Sequence, residues 1–339
     1  MKKDVYAVIL AGGKGTRLWP LSRKGVSKSF ISIAGKKPMA LETVERIRGL
    51  VEKERMIFVV DYAQKKALKS AIKGISEQNI LLEPYGRSTA SAVGLAAIRL
   101  PRRSILVVLP TDAMVDNPGR FKQALKKGID FVRAKEGSMI CMGIKPKGPS
   151  SAYGYIKVGS RLKEGIYAID RFVEKPTKRK AETLIKQTHY LWNAGIFIFR
   201  AGDILSAMRK YSPELYRQLD RIKNNQKTIT DAYSRMRNVS IDFQIMEKAE
   251  NLYCVKANFG WSDLGSWVSM EELFGKDRQG NVSFGNVKLE NTKNSFIYNS
   301  GEPVIGVVGA DNMIIVRTSN GMLVCSKKNA EKVKKLKIL

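Results

Sequence analysis

This sequence is short of most things that common function classes need. It has one histidine, His189, among 339 residues, so an imidazole relay is a poor basis for its chemistry, and His189 reads as a surface or structural residue. Its three cysteines, Cys141, Cys254 and Cys325, are far apart and odd in number. No zinc spacing or disulfide framework follows from them, and a reducing cytoplasm is the expected compartment. No apolar run approaches the roughly 18 residues of a membrane span. Met1-Lys2-Lys3 leads straight into a strand-like run, without the apolar core and cleavage site of a secretory leader. Acidic residues are scarce as well: 31 Asp and Glu face 60 Lys and Arg, a formal charge of +29. That balance invites a nucleic-acid reading, yet the basic residues are spread along the chain. The densest cluster, Lys327 through Lys337, reads as one face of a terminal helix. An anionic small molecule is the better partner for this charge, with no specific nucleic acid and no membrane expected.

Two glycine templates are also missing. The stretch LAGGKGTRLWP occupies residues 10–20, after Val5-Tyr6-Ala7-Val8-Ile9. A P-loop needs a spacing that Gly12-Gly13-Lys14-Gly15-Thr16 does not supply. A dinucleotide fingerprint needs a third glycine where Leu18 stands. A Walker-type ATPase and a Rossmann dehydrogenase are thereby disfavoured. What remains is a glycine turn whose backbone N–H groups can form an anion nest, with Lys14, Thr16 and Arg17 as side-chain donors.

What is present is regular alternation. Strand-like runs at 5–10, 56–60, 79–82, 104–109 and 139–144 alternate with helical patterns at 40–53, 63–72, 88–98 and 121–133. Ser88 is placed to cap the third of these helices. The order implies a doubly wound α/β sheet, mostly parallel in this half, with ligands beyond the carboxyl ends of the strands. Antiparallel strands are expected at 153–158 and 167–173. Helices follow at 178–188, 204–211, 213–224 and 230–236, with a strand at 195–200. From about residue 277 short strands recur between Gly, Asn and Asp, as in a small all-β appendage. The expected division is 1–275 and 276–339.

Several segments carry chemistry or a bland equivalent. Glu83-Pro84-Tyr85-Gly86-Arg87-Ser88 is either a capped βα turn or a loop that lets a flat base approach. Asp112, past a buried strand, is either a helix cap or a Mg²⁺ ligand. Glu174-Lys175 is either an exposed ion pair or part of a pocket. Asn193 has donors and acceptors for hydroxyls. Trp261 and Trp267 bracket Asp263, whose charge would need a cation nearby. These residues point to a phosphorylated ligand and a sugar-like pocket, without naming a reaction.

Taken together, LAGGKGTRLWPLSR (10–23), EPYGRSTA (83–90), LPTD (109–112), YGYI (153–156), FVEKP (172–176), WNAGIFIF (192–199), SIDFQIMEK (240–248) and GWSDLGSW (260–267) resemble the sugar nucleotidyltransferase family. They occur in its order and lie nearest the branch that uses GTP and mannose 1-phosphate. The resemblance implies a Rossmann-like mixed sheet followed by a short left-handed β-helix-like domain. It also implies a reaction in which a sugar 1-phosphate attacks a nucleoside triphosphate and releases pyrophosphate with Mg²⁺. Leu10, Ala11, Gly12, Gly13, Lys14, Gly15, Thr16 and Arg17 would then line the nucleotide with Glu83, Pro84, Gly86, Arg87 and Asp112. Arg17 and Lys28 would be catalytic, and Asp112 and Asp263 would hold the metal. Tyr153, Gly154, Glu174, Lys175, Asn193 and Gly195 would contact the hexose. The family usually has Pro, Asn, Pro, Ser and His where this chain has Ser27, Ser88, Ser91, Thr111 and Ala113. These replacements leave two alternatives open: another sugar 1-phosphate or nucleotide, or a non-catalytic binder. The tail is expected to pair subunits into a homodimer.

Overall fold

Apolar strands alternating with amphipathic helices build one nine-stranded sheet in the computed structural model, which describes residues 4–13, 15–22, 27–33, 37–271 and 274–336. Its strands are β1 (Val5–Leu10), β2 (Met56–Asp61), β3 (Ile80–Glu83), β4 (Ile105–Pro110), β6 (Met139–Ile144), β7 (Tyr155–Lys163), β8 (Ile166–Val173), β9 (Tyr190–Arg200) and β10 (Leu252–Ala257), while β5 (Ala113–Val115) lies apart. The order across the sheet is β3-β2-β1-β4-β9-β6-β10-β8-β7. The first four strands are parallel, as the sequence alternation predicts. β9 then runs antiparallel to both β4 and β6, and β7 and β8 add antiparallel strands at the far edge. Helices cover both faces, giving two large apolar clusters, one on each side of the sheet.

Three local expectations are corrected. The helix at 40–53 spans only Met39–Arg46. Ile47 leaves helical geometry, and Gly49 turns the chain with φ 80, a conformation that glycine adopts cheaply. Ser88 does not cap the helix Ser88–Arg99: that helix has no side-chain cap, and Ser88 itself has φ 67. Trp261 and Trp267 do not enclose Asp263. Trp261 packs on Tyr153, with ring centroids 5.1 Å apart, whereas Trp267 joins a separate cluster beside Phe296 at 5.8 Å.

Beyond the sheet, short β11 (Trp261–Asp263) pairs antiparallel with β5. The tail then stacks parallel turns: β12 (Val282–Phe284) on β14 (Phe296–Asn299) on β16 (Met313–Thr318), and β13 (Val287–Glu290) on β15 (Ile305–Val308). β17 (Gly321–Ser326) folds back on β16. The expected terminal helix is a 3₁₀ segment, Lys327–Lys335. A third apolar cluster joins this tail to the sheet domain through Leu18, Ile31, Ile33, Leu264, Trp267, Phe296, Ile314 and Val333.

Candidate active site

The site forms where β1 and β4 end side by side. Ala11 is fully buried, and its N–H donates to the carbonyl of Val59 at 3.1 Å, so the loop leaves from a fixed point. Among the described residues Gly12 has no neighbouring atom within 4 Å of where a Cβ would sit, and its φ is not positive. A side chain there would therefore point into space that the described residues leave open. Gly15 differs: its φ is 61, and a Cβ would stand 2.7 Å from Lys28 Cβ. Thr16–Leu18 then forms one 3₁₀ turn that presents Arg17. Lys14 lies outside the described residues.

Lys28 is held from both sides. The Ser27 N–H donates to Gln64 Oε1 at 2.7 Å, and the Thr111 hydroxyl donates to Ser29 Oγ, also at 2.7 Å. Thr111 precedes Asp112, so the same contact that fixes Lys28 brings it to Asp112, with which it forms an ion pair. Two of the positions that depart from the family pattern, Ser27 and Thr111, thus knit the lysine in place. Asp263 arrives through the β5–β11 pair, in register with Ala113, and the Leu264 N–H donates to Asp112 O at 2.8 Å. Nothing in the spacing of the sequence forecasts that pairing.

Electrostatics follow from this crowding. Burial works against the charge on Lys28, but Asp112 and Asp263 hold its pKa above the ordinary value. Burial works against Asp112 too; the Lys28 ammonium, helped by Arg17, keeps that carboxyl below its usual range. Asp263 is pushed up to about 6, by burial first and by the charge of Asp112 second. One carboxylate is well neutralised and its neighbour is not.

A second group of residues lies on the β9 side. Asn193 sits on β9, its N–H donating to Gly154 O at 2.8 Å and its Oδ1 accepting from the Gly195 N–H at 3.0 Å. A Cβ on Gly154 would collide with Glu174 Oε2, so the glycine makes room for that carboxylate. Tyr153 closes the side of this group with its ring against Trp192 at 4.8 Å. Glu174 is buried and pushed up to about 7, first by burial and then by the charge of Asp242. Its Oε1 pairs with Lys175 at 3.0 Å, while Oε2 has no hydrogen-bond partner among the described residues. Lys175, whose charge bears on both Asp242 and Asp263, links this group to the carboxylate pair.

A third group borders β3. Glu83, 5 % exposed, accepts from the Ser91 hydroxyl at 3.2 Å and is pushed up to about 7 by burial, with Asp61 adding to the effect. Gly86 faces Asp61, since a Cβ there would lie 3.4 Å from its Oδ1. Pro84, next along the chain, is half-buried. Arg87 stacks over Tyr85 at 5.0 Å and donates to the carbonyls of Tyr233 and Ser234, at 2.9 and 3.2 Å.

Sequence reasoning missed the supports of these groups. Asp242 Oδ1 accepts from Asn193 Nδ2 at 2.7 Å, and Glu247 accepts from the Glu174 N–H at 2.7 Å. Both lie in the quoted SIDFQIMEK stretch, but 49 and 73 residues from the partners they hold. Asp61 and Gln64 gave no signal at all, because strand-end polar residues look like ordinary surface.

A glycine turn, a lysine paired with Asp112 and a second carboxylate, Asp263, thus meet at the strand ends of a Rossmann-like sheet, with the Glu174–Asn193 group beside them. Sequence comparison gives the class its name: the sequence model of the nucleotidyl transferase family matches residues 6–280, and this chain belongs to that family. A second model, the MannoseP isomerase/GMP-like beta-helix domain, matches residues 285–337. Among particular relatives, the mannose-1-phosphate guanylyltransferase of Klebsiella pneumoniae is 34% identical over 97% of this chain and 72% of its own length. The alginate biosynthesis protein AlgA of Pseudomonas fluorescens is 35% identical over 97% of this chain and 70% of its own. A Thermus thermophilus crystal structure described as a mannose-1-phosphate geranyltransferase superposes with a TM-score of 0.90 at 31% identity, covering 98% of both chains.

Proposed function

We propose that this enzyme makes GDP-mannose and pyrophosphate from GTP and mannose 1-phosphate. One observation carries the reading. Lys28 pairs with Asp112, the β5–β11 ladder sets Asp263 next to them, Arg17 Nη1 and Asp263 Oδ2 approach the same point beside Gly265, and Lys175 pairs with Glu174 of the neighbouring group. The attacking atom is a phosphate oxygen, ionised at neutral pH, so no general base is required and one histidine suffices. Its bond to the α-phosphorus of GTP forms as the bond from that phosphorus to the bridging oxygen breaks, and pyrophosphate leaves with the electron pair. Catalysis then rests on alignment and on charge placed where it develops.

In this reading Leu10 through Arg17 border the triphosphate. Lys28 neutralises charge between the two reacting phosphates. Ala11, Gly12, Glu83, Pro84 and Gly86 receive the base, with Arg87 bracing that loop. Tyr153, Gly154, Glu174, Lys175, Asn193 and Gly195 receive the hexose, and the unpartnered Oε2 of Glu174 is a ready acceptor for one of its hydroxyls. Asp112 and Asp263 suit Mg²⁺: they are hard oxygen donors, and Asp263 is under-neutralised. No cluster of three or more ligating side chains exists among the described residues, in keeping with an ion that takes its remaining ligands from phosphates and water. When bound, such an ion offsets negative charge on the phosphates.

The chemistry is assigned to residues 1–275 and the β-helix-like appendage to 276–339. A cytoplasmic setting suits three free cysteines. Among the described residues no helix is long and apolar enough to cross a membrane. A homodimer built through the tail would cover Val304, Val308, Met322 and Val324, which are exposed. The decisive experiment measures pyrophosphate release from ATP, CTP, GTP and UTP, each with a panel of hexose 1-phosphates. The expected result is fastest release with GTP and mannose 1-phosphate. Preference for another pair would overturn the substrate assignment, and tight GTP binding without release would overturn turnover itself.

A further inference from the structure

The terminal 3₁₀ segment reaches back to the phosphate loop. Its Ala330 and Val333 are buried, three residues apart on one face, as the three-residue repeat requires. They seat the segment in the cluster that also contains Leu18. Glu331, on the neighbouring face, meets Arg17: Glu331 Oε2 lies 3.3 Å from Arg17 Nε. Glu331 is the one acidic residue between Lys327 and Lys337, so the contact is not what the composition of the segment would deliver by default. The tail also holds the chain just past that turn, because Thr318 Oγ1 and Asn320 Nδ2 both donate to Pro20 O, at 3.0 and 3.2 Å.

The contact is directional. Glu331 takes the Nε corner of the guanidinium. The Nη1 corner points the other way, lying 3.3 Å from where a Cβ on Gly265 would sit, a point 2.7 Å from Asp263 Oδ2. A guanidinium is a rigid fork, so fixing one corner aims the rest. Both side chains are substantially exposed, at 39% and 60%, and an exposed pair contributes little to stability.

We propose that Glu331 is a positioning residue, supplied by the tail, that orients Arg17 toward the phosphates of the bound nucleotide. The assignment rests on the nucleotidyl-transfer reading of the site. The tail thereby takes part in substrate binding through the loop after β1.

A double-mutant cycle tests it, using wild type, Glu331→Ala, Arg17→Ala and the double variant, each assayed for GTP affinity by equilibrium dialysis and for kcat and KM. Glu331→Ala is expected to weaken GTP binding and lower kcat/KM about three- to tenfold, with Tm unchanged. Glu331→Gln, which keeps an acceptor, is expected to recover much of the loss. In the Arg17→Ala background, removing Glu331 is expected to change nothing further. Additive losses, or a Glu331→Ala enzyme indistinguishable from wild type, would overturn the proposal. A wild-type protein that neither binds GTP nor releases pyrophosphate would instead sink the underlying reading, so the two failures are separable.

Discussion

At the scale of single residues, burial decides the behaviour of the acids. Asp263 is an acid whose charge the fold tolerates poorly, so neutralising it should not harm folding. Asp263→Asn is expected to leave Tm unchanged or higher while turnover falls by roughly 10²-fold or more. Melting curves and initial rates measured on the same preparation check both halves. Glu174 offers a pH test. Its carboxyl rises from the ordinary 4.5 to about 7, so the folded chain binds a proton more readily than the unfolded one. Stability therefore falls as pH rises between those values, and the full penalty persists above them. Glu174→Gln removes the penalty. It should raise Tm at pH 8 by roughly 1–2 °C, about 1 kcal/mol on a chain of this size. The gain should fade toward pH 5, and affinity for the hexose phosphate should drop. A variant as stable as wild type at pH 8 would contradict the burial argument.

At the scale of elements, the loop after β1 contains glycines with different duties. Gly15→Ala would put an L-residue in left-handed geometry, at about 1–2 kcal/mol, and drive its Cβ into Lys28. The expectation is a kcat more than tenfold lower together with a reduced Tm. Gly12→Ala meets nothing among the described residues, so it should raise KM for the nucleotide with no thermal cost. Equal thermal losses in the two variants would refute the distinction. The contrast also shows what a sequence can disclose. Buried strands such as Ile105–Pro110 declare themselves, because both faces must be apolar. The motifs around Lys28, Asp112, Glu174 and Asn193 stand out because several residues of one chemistry lie close together. The supports stay silent: Gln64, Asp61, Asp242 and Glu247 act across tens of residues, through register and topology that local pattern does not encode. The short β5–β11 pair was illegible for the same reason, and Ser88 misled because a good capping residue occupies a left-handed position instead.

At the scale of the whole molecule, the third apolar cluster makes one cooperative unit of two architectures. Phe296, fully buried in the tail, faces Trp267 of the segment that delivers Asp263. Phe296→Ala should cost about 3–5 kcal/mol, and calorimetry should show a single transition moved down. A separate low-temperature melting of the tail, with the sheet domain unaffected, would contradict this coupling. The shared cluster also bears on inheritance. A tail whose apolar face is fitted to Leu18, Ile31 and Leu264 cannot be traded between relatives as a cassette. Chimeras joined near residue 276 should succeed only when both halves of that contact come from one parent, so the two parts are bound to drift together or not at all.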